Sequence, residues 1–391
     1  MIARIIILLL LLIVLPDIYI DQHILSRRKK ANLLVRTIWW AFTVGMVVYA
    51  LCLSSSRDFV PENSLPVDIF FLLLGVIIVP KAIFVICSMI GLYLRKRLGR
   101  RNNWGNLVGL ILGVTAAIMS IYGLFIGPKQ LVVRHVDLTF EKLPAAFDGY
   151  KVLHFSDLHI GSQSEKYLTR VADSINSQHA DLICFTGDIQ NLQPQELYPY
   201  TDILKSIKAP DGVFSVLGNH DYSYYVRRRD EVIRASNERE TISRQRQYGW
   251  NVLLNENVTI RKGNDKIVIV GEENVGDGKQ PNKVDAQKAS SGVKVGDFVV
   301  LLQHNPKAWM RILSDGIADL TLSGHTHGGQ ASIFGLRPTR LTAKQDYGVY
   351  VKDEKTICVT GGVGGLLKFR LGVKPEIVLI TLHKGNNSPN R

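Results

Sequence analysis

Hydrophobic residues in the first third of the chain form long, nearly uninterrupted stretches. These stretches cover residues 2–20, 37–54, 67–94 and 106–127. Each is close to the ~20 residues that an apolar helix needs to cross a bilayer. The pattern therefore predicts an all-α, four-helix transmembrane anchor over residues 1–127. The third stretch contains Pro80, and we expect it to form one kinked helix because neither half alone could span.

Lys81 lies near the middle of the third stretch. A lysine at that depth costs roughly 2.5–3.5 kcal/mol on insertion scales. Two interpretations are open: Lys81 is the polar partner of another group inside the helix bundle, or it snorkels to the interface near a misplaced helix boundary. We favour the second interpretation, because long basic side chains commonly reach the interface along an apolar stem.

Residues 128–391 show a different pattern, in which short apolar runs alternate with polar segments. The early runs are separated by helix-like segments, whereas the later runs follow one another with little between them. This order favours an α/β domain built from two packed sheets with helices outside, and not a single doubly wound sheet.

Polar clusters follow directly after five of these apolar runs, each of which reads as a buried strand. The clusters are Asp157 and His159 after 151–155, Asp188 after 182–185, Asn219, His220 and Asp221 after 213–217, His304 after 298–302, and His325 and His327 after 318–322. Ligand sites in open α/β sheets form just beyond the carboxyl ends of strands. We therefore expect the five clusters to converge on one place.

The formal net charge is +13, and most of it comes from the apolar part. Residues 1–127 hold 13 Lys and Arg against 5 Asp and Glu, whereas the remaining residues hold 34 against 29. The basic residues concentrate in loops 27–36 and 95–101, which four spans place on one side of the membrane. The positive-inside rule makes that side cytoplasmic, so residues 128–391 are predicted on the outer, periplasmic or extracellular, face. This distribution favours membrane topology, and no nucleic-acid partner is expected.

The clusters supply carboxylates, imidazoles and an amide, which suit a site for two divalent cations. An oxygen and nitrogen donor set without sulfur favours Mn, Fe or Zn over Ca or Mg. The cysteines form no C-x-x-C pair, which argues against a zinc ribbon or a thioredoxin-like motif. They lie in apolar runs or predicted strands, at Cys52, Cys87, Cys184 and Cys358.

The ordered set of clusters resembles the calcineurin-like metallophosphoesterase superfamily. The blocks that carry the resemblance are Asp157-x-His159, Gly187-Asp188, Gly218-Asn219-His220-Asp221, His304 and Gly324-His325-x-His327. The resemblance covers residues 131–382 and implies a four-layer α/β/β/α sandwich over residues 128–391. The segments 328–330 and 368–376 are similar to a bacterial membrane-linked branch that is related to the UDP-diacylglucosamine hydrolases of lipid A synthesis.

The resemblance also implies a role for each residue. One metal would be held by Asp157, His159 and His327, the other by Asn219, His304 and His325, and Asp188 would bridge them. His220 would stabilise the phosphate charge or protonate the leaving oxygen, and Asp221 would orient His220. A metal-activated hydroxide would be the nucleophile, with Mn favoured among the possible metals.

A helix predicted over residues 222–248 follows His220 and is rich in arginine, beginning with Arg227, Arg228 and Arg229. One interpretation is a cap that binds a phosphate or an anionic lipid head group. The other, which we slightly favour, is a solvated helix face with i,i+4 ion pairs.

These patterns predict a multi-pass protein of the bacterial cytoplasmic membrane that hydrolyses a phosphoester or pyrophosphate. Because the site is tethered to a bilayer, the predicted substrate is lipid-linked or envelope-derived. One alternative is a cytoplasm-facing UDP-diacylglucosamine-type pyrophosphatase, which the predicted topology disfavours. An alternative of another class is a non-catalytic membrane scaffold, which the complete ligand set disfavours.

Overall fold

The structure is a computed structural model that describes residues 5–26, 33–55, 64–226, 230–276, 278 and 280–385. The chain divides into two compact units, Met1–Ile126 and Gly127–Arg391. The two units differ in kind: the first is helical, and the second contains every β-strand among the described residues.

The first unit consists of apolar helices. They are α1 (Ile6–Ile20), α2 (Leu33–Ser55), α3 (Leu65–Leu73), α4 (Val79–Arg97) and α5 (Trp104–Phe125). Short π-helical segments extend α1 and join α3 to α4, so that four helical stretches of the described chain are long and apolar enough to cross a membrane. The π-helical turn Leu74–Ile78 ends two residues before Pro80. A proline lacks the N–H that an ideal α-helix needs, and such turns commonly accommodate it.

Lys81 points into the first unit and pairs with a buried carboxylate. Its Nζ lies 2.9 Å from Oδ1 of Asp17, which is fully buried, and 4.5 Å from the centre of the Trp39 ring. Thr43 donates its hydroxyl hydrogen to the other Asp17 oxygen at 2.6 Å. The snorkelling interpretation of Lys81 is therefore wrong, because its charge is neutralised inside the helix bundle.

The second unit contains two six-stranded sheets. The first sheet comprises β1 (Val132–Phe140), β2 (Tyr150–Phe155), β3 (Leu182–Phe185), β4 (Val213–Ser215), β5 (Asn251–Val252) and β12 (Glu376–Lys384), in the order β1-β12-β2-β3-β4-β5. The second comprises β6 (Glu256–Lys262), β7 (Asp265–Gly271), β8 (Phe298–Leu302), β9 (Leu320–Ser323), β10 (Gly348–Lys352) and β11 (Lys355–Val359), in the order β10-β11-β9-β8-β7-β6. Within the sheets β2, β3, β4 and β5 run parallel, as do β7, β8, β9 and β11.

Helices cover the outer faces of both sheets. They are α6 (Glu165–Asn176), α7 (Thr201–Lys205), α8 (Glu231–Gln247), α9 (Ala286–Ala289) and α10 (Trp309–Asp315). Strand β8 shows the layering: Phe298 and Val300 pack in the core between the sheets, whereas Val299 packs in an outer core with Trp309 of α10. Alternate residues of a strand point to opposite faces, so one strand contributes to two cores. This is the predicted four-layer α/β/β/α sandwich.

The arginine-rich helix is shorter than the sequence pattern predicts. It begins at Glu231, where Asp230 accepts hydrogen bonds from the backbone N–H groups of Val232 and Ile233. Such an N-cap satisfies N–H groups that have no partner within the helix. The preceding residues 222–225 form turns that pack against the polar clusters.

Candidate metal centre

The five predicted clusters lie together at one edge of the sandwich. Parallel strands β2, β3 and β4 deliver Asp157, Asp188 and Asn219 from one sheet, and parallel strands β8 and β9 deliver His304 and His325 from the other. Ligand atoms in each of three overlapping groups lie within 4.8 Å of one another. These groups are Asp157, His159 and His327; His159, Asp188 and His220; and Asp188, His304 and His325.

The first group surrounds one oxygen of Asp157. Its Oδ1 lies 3.4 Å from Nε2 of His327 and 3.9 Å from Nε2 of His159. The rings of the two histidines stack with their centres 5.2 Å apart. The other Asp157 oxygen accepts a hydrogen bond from the backbone N–H of His325, which fixes the direction in which Oδ1 points.

The third group surrounds Nε2 of His304, and Asn219 lies beside it. This nitrogen lies 3.3 Å from Oδ2 of Asp188, 3.2 Å from Oδ1 of Asn219 and 3.2 Å from Nδ1 of His325. The amide nitrogen of Asn219 donates to the Tyr225 hydroxyl at 3.1 Å, so its oxygen points towards the histidines. Four potential ligands of a second cation, from His304, Asp188, Asn219 and His325, therefore face the same small space.

Asp188 connects these two groups. Its Oδ2 lies 3.6 Å from Nε2 of His159, which belongs to the first group, and 3.3 Å from Nε2 of His304, which belongs to the third. Its Oδ1 accepts a hydrogen bond from the backbone N–H of His220 at 2.8 Å. One carboxylate oxygen is thus shared between two sets of nitrogen and oxygen donors.

The backbone that presents these ligands is strained. Positive φ angles, which are uncommon for residues other than glycine, occur at Asp157 (55°), His159 (46°), Asp188 (59°), His325 (71°) and His327 (52°). Each such conformation costs on the order of 1–3 kcal/mol and persists only where surrounding contacts impose it. Their concentration on five of the seven predicted ligands indicates a functional site.

Two glycines permit the ligand loops to approach one another. A Cβ atom on Gly324 would lie 2.3 Å from Oδ2 of Asp157, and one on Gly218 would lie 2.2 Å from Oδ1 of Asp188. Both contacts are too close for any side chain, because the carboxylates are themselves fixed by backbone N–H groups. The glycines of the Gly-Asn-His-Asp and Gly-His-x-His blocks are therefore sterically required.

Oxygen acceptors orient three of the histidines. Nδ1 of His159 lies 3.1 Å from the side-chain oxygen of Asn191. Nδ1 of His220 lies 2.7 Å from the backbone carbonyl oxygen of Asn191. Nδ1 of His304 lies 2.6 Å from the backbone carbonyl oxygen of Thr186. Because these acceptors carry no hydrogen, Nδ1 donates in each ring. In the neutral imidazole, Nε2 is then free to face the cluster, as is typical of histidines that bind metals.

Sequence reasoning missed Asn191, which holds two of these rings at once. Its side-chain nitrogen donates to the Ser162 hydroxyl at 2.8 Å, which fixes the orientation of the amide. The only signal in the sequence is its position three residues after Asp188, in the loop that follows the same strand. Asn residues are common in such loops for purely conformational reasons, so this signal is weak.

Asp221 does not orient His220, and that prediction is wrong. Its two oxygens accept backbone N–H groups of Asp188 at 2.8 Å, Ile189 at 2.9 Å and Gly218 at 2.9 Å. Asp221 therefore ties the Asp188 loop to the Asn219 loop, while Asn191 takes the orienting role. Burial, with the Asp188 charge acting in the same direction, raises the pKa of Asp221 to about 7.

Several buried atoms of the centre have no hydrogen-bond partner among the described residues. They are Oδ1 of Asp157, Nε2 of His159 and Nδ1 of His327. An unpaired buried polar atom costs free energy, and an unpaired buried carboxylate costs more. Lone pairs of opposed oxygen and nitrogen atoms, such as those of Asp157 and His159, fit a cation between them. The donor set therefore fits divalent metal ions.

The titration behaviour of the centre follows from its burial and its charges. Burial lowers the pKa of His159 to about 3, and the positive charge of His220 acts in the same direction, so this ring is neutral near pH 7. Burial also lowers the pKa of His304, but the Asp188 carboxylate outweighs this effect and raises it to about 9. The His304 and His220 charges in turn hold the pKa of Asp188 well below its usual range despite burial.

The predicted substrate-binding residues Arg227, Arg228 and Arg229 lie outside the described residues. Within the described residues of this segment, the Tyr225 ring centre lies 4.4 Å from that of His220.

Comparison with known proteins assigns the family. Residues 150–329 match the family "Calcineurin-like phosphoesterase", and residues 3–128 match "Probable Calcineurin-like phosphoesterase, transmembrane domain". Over 265 residues the chain is 32% identical to an uncharacterized metallophosphoesterase of Aquifex aeolicus (strain VF5), covering 66% of this chain and 94% of that relative.

The chain belongs to the calcineurin-like metallophosphoesterases.

Other similarities are more distant. The UDP-2,3-diacylglucosamine pyrophosphatase LpxG of Chlamydia trachomatis serovar D is 26% identical over 331 residues, which cover 68% of this chain and 97% of LpxG. Among solved structures, the phosphopantetheinyl hydrolase PptH of Mycobacterium tuberculosis aligns with 56% of this chain and 91% of its own, at 13% identity and a TM-score of 0.36. The two family matches make the protein a membrane-associated metallophosphoesterase, and we refer to Gly127–Arg391 as the metallophosphoesterase domain.

Proposed function

We propose that this protein is a two-metal phosphohydrolase, anchored in the bacterial cytoplasmic membrane, that cleaves a phosphoester or pyrophosphate bond in a lipid-linked or envelope-derived substrate. The observation that carries the proposal is the position of Asp188, whose Oδ2 faces His159 at 3.6 Å and His304 at 3.3 Å. A carboxylate shared between two donor sets is the arrangement that a pair of divalent cations requires.

In this proposal Asp157, His159 and His327 hold one metal, and Asn219, His304 and His325 hold the other. Asp188 contributes to both. Divalent ions bound there, with manganese favoured, would polarise the phosphoryl group and lower the pKa of water towards neutrality. The neutral state of His159 and the acceptor-bound Nδ1 of His304 support this assignment, since a metal ligand must offer a free nitrogen lone pair.

His220 is the residue that we expect to act on the substrate. The Asn191 carbonyl holds its Nδ1 proton at 2.7 Å, and the Tyr225 ring packs against its face. Held in this way, the ring can carry a second proton at Nε2, stabilise negative charge on the phosphoryl oxygens and donate that proton to the leaving oxygen. Asp221 acts as a positioning residue, because it fixes the loops that carry Asp188 and Asn219.

The experiment that tests the proposal is hydrolysis of bis(p-nitrophenyl) phosphate by the purified full chain in detergent, with manganese added. We expect Asp188→Asn to reduce kcat/KM by about a thousandfold or more, because it removes the shared charge. A matched control is Asp137→Asn, which changes a carboxylate whose side chain is 75% exposed on β1. Equal activity in the wild type and Asp188→Asn would contradict a catalytic two-metal centre, and so would the absence of turnover by the wild type with every tested ester.

A second candidate is pyrophosphate cleavage in a UDP-diacylglucosamine-type substrate on the cytoplasmic side. The similarity to LpxG favours this candidate. The basic loops favour the outer face for the metallophosphoesterase domain, where a nucleotide-linked substrate would not be found. Protease accessibility in spheroplasts and in inverted vesicles separates the two: digestion of the domain in spheroplasts supports the outer face, and protection there supports the LpxG-type activity.

A further inference from the structure

A strongly apolar surface segment lies next to the metal centre. It follows the ligand His327, and we define it as the apolar loop, residues 331–344. Its large hydrophobic side chains are exposed: Ile333 by 49%, Phe334 by 100%, Leu336 by 73% and Leu341 by 91%. Single exposed hydrophobic residues are ordinary, whereas several in one short segment indicate a binding surface.

The apolar loop contains a tight hairpin at residues 333–336, with Phe334 in its turn, followed by a 3₁₀ helix at Pro338–Leu341. Backbone hydrogen bonds connect Ile333 and Leu336 in both directions, at 3.1 and 3.0 Å. The turn between them places Phe334 at φ 51°, a left-handed conformation that is unfavourable for a bulky side chain. Both the left-handed backbone of Phe334 and the exposure of its ring to water are unfavourable in free energy. Their occurrence at one residue indicates a function for the exposed tip.

Contacts through Asp346 connect the apolar loop to the metal ligands. The buried Asp346 carboxylate accepts two hydrogen bonds from Arg337, at 2.7 and 2.9 Å, and one from Thr339 at 2.8 Å. The hydroxyl of Thr326, which lies between two metal-centre histidines, donates to the Asp346 carbonyl. The position of the apolar loop is therefore fixed relative to the site.

The charge of the apolar loop has a single sign. It contains Arg337, Arg340 and Lys344 and no acidic residue. Arg337 is bound to Asp346. The Arg340 Nε lies 3.9 Å from the same carboxylate, but the Arg340 side chain is 55% exposed, and Lys344 is exposed. The backbone N–H of Ser332 donates to the Leu371 carbonyl, so the loop that contains Leu371 lies beside the apolar loop. That neighbouring loop carries a further exposed basic residue, Lys368. Exposed apolar side chains mixed with basic ones match an anionic lipid surface, in which acyl chains lie beneath phosphates.

The chain itself keeps such a surface close to the domain that carries the loop. The fourth candidate span ends at Lys129, and β1 of the metallophosphoesterase domain begins at Val132. A tether this short holds the domain near the bilayer at a high effective concentration, so even a weak contact would be populated. A soluble protein partner has no comparable argument in its favour.

We propose that the apolar loop docks on the bilayer in which the chain is anchored. Phe334 and Leu341 enter the interfacial region, and Arg340 and Lys344 contact anionic lipid phosphates. The docking would place the metal centre at the level of lipid head groups. This last step rests on the proposed function and narrows the substrate class to phosphate esters held within a bilayer, whereas the docking itself does not depend on catalysis.

The test is the depth of a spin label on the full chain in vesicles of phosphatidylcholine and phosphatidylglycerol. The label is attached to the cysteine of Phe334→Cys. The chain also carries Cys52→Ser and Cys87→Ser, which remove the two accessible native thiols, whereas Cys184 and Cys358 are buried and can stay. The matched control is Val295→Cys, a residue that is 98% exposed and precedes β8, at the opposite end of that strand from His304. Collision rates with oxygen and with a water-soluble nickel chelate report whether each label lies in lipid or in water.

We expect the Phe334 label to favour oxygen and the Val295 label to favour the nickel chelate. Replacing phosphatidylglycerol by phosphatidylcholine should shift the Phe334 label towards water, since it removes the anionic head groups. Identical, water-like accessibility of both labels in anionic vesicles would overturn the docking proposal.

A second measurement separates docking from catalysis. The double variant Phe334→Asp/Leu341→Asp should cleave bis(p-nitrophenyl) phosphate normally but should cleave p-nitrophenyl hexadecyl phosphate in vesicles about tenfold more slowly. The control Val295→Asp should leave both rates unchanged. Equal losses with both substrates would show that the loop only supports the fold and would overturn the narrowed substrate class. If the wild type cleaves neither ester, the proposed function fails, and the spin-label depth still decides the docking.

Discussion

Each unit buries a carboxylate, which is energetically costly, and the two units compensate this cost in opposite ways. In the helical unit, Asp17 is fully buried and pairs with Lys81 at 2.9 Å and with Thr43 at 2.6 Å. In the metallophosphoesterase domain, Asp157 is equally buried, yet its Oδ1 has no hydrogen-bond partner among the described residues. The first carboxylate is neutralised by the chain, and the second is left for a cation.

The comparison teaches that burial of charge alone does not identify a site. A buried ion pair can satisfy itself and serve only the fold, because its net contribution to stability is often small. A functional cluster differs in retaining unpaired donors, opposed lone pairs and strained backbone, as at Asp157 and His159. The following predictions test this difference, from the largest expected effect to the smallest.

Removing the charge of Asp157, whose Oδ1 has no hydrogen-bond partner among the described residues, should separate activity from stability. We expect Asp157→Asn to reduce hydrolysis of bis(p-nitrophenyl) phosphate by about a thousandfold, because it removes a proposed metal ligand. The metal-free variant should unfold at the same temperature as the metal-free wild type or at a higher one, because an uncompensated buried charge has been removed. Thermal unfolding in the presence of a chelator measures this, and a large destabilisation would show that Asp157 serves the fold.

Removing the charge of Asp17, which is paired with Lys81, should lower stability and leave activity unchanged. We expect Asp17→Asn to destabilise the helical unit by about 3–5 kcal/mol, because Lys81 would be left buried without its counter-charge. The double variant Asp17→Asn/Lys81→Met should recover most of that loss. Unfolding in mixed detergent micelles measures both, with turnover of the soluble diester as a control that should not change. An Asp17→Asn variant as stable as the wild type would contradict the self-neutralised pair.

Asp221 should affect both activity and stability, because it is buried in the metal centre like Asp157 but has hydrogen-bond partners like Asp17. We expect Asp221→Asn to destabilise the domain by about 2 kcal/mol, since an amide nitrogen would face backbone N–H groups that the carboxylate now accepts. It should also lower kcat by about ten- to a hundredfold with little change in KM, through displacement of the loops that carry Asp188 and Asn219. If Asp221→Asn had the same metal content and the same kcat as the wild type, the proposed positioning role of Asp221 would be contradicted.

Metal binding should release a proton from His304. In the metal-free domain its pKa is raised to about 9, so the ring is protonated near pH 7.5, and a bound metal must displace that proton. Apparent metal affinity should therefore rise by about tenfold per pH unit from pH 7 towards pH 9 and level off above it. Calorimetry in two buffers with different ionisation enthalpies measures the proton count, and a pH-independent affinity would contradict this assignment.

The sequence was sufficient for the architecture because strand periodicity and strand-end chemistry are local signals. The apolar runs before Asp157 and Asp188 predicted buried strands, and the direction of those strands predicted the convergence of their ends. The same reasoning could not say which groups pair across elements. Lys81 finds Asp17 64 residues away, and Asn191 holds both His159 and His220, which no periodicity encodes.

Asp221 and the arginine-rich helix show a second limit of local patterns. The Asn-His-Asp order suggests a carboxylate that orients its neighbouring imidazole, yet the turn directs Asp221 towards the backbone of a neighbouring loop. Likewise, the arginine-rich pattern extends continuously from Tyr222, but the capping geometry of Asp230 starts the helix only at Glu231. Both outcomes depend on three-dimensional hydrogen bonding that composition does not specify.

The most direct test of the two-metal account is the metal content of the purified full chain, measured by mass spectrometry beside the rate of diester hydrolysis during stepwise addition of manganese to chelated protein. The account predicts that about two ions bind per chain in the wild type, that activity rises as the sites fill, and that Asp188→Asn loses both. A chelated protein that hydrolyses the diester at full rate, or a wild type that saturates at one ion with full activity, would contradict it.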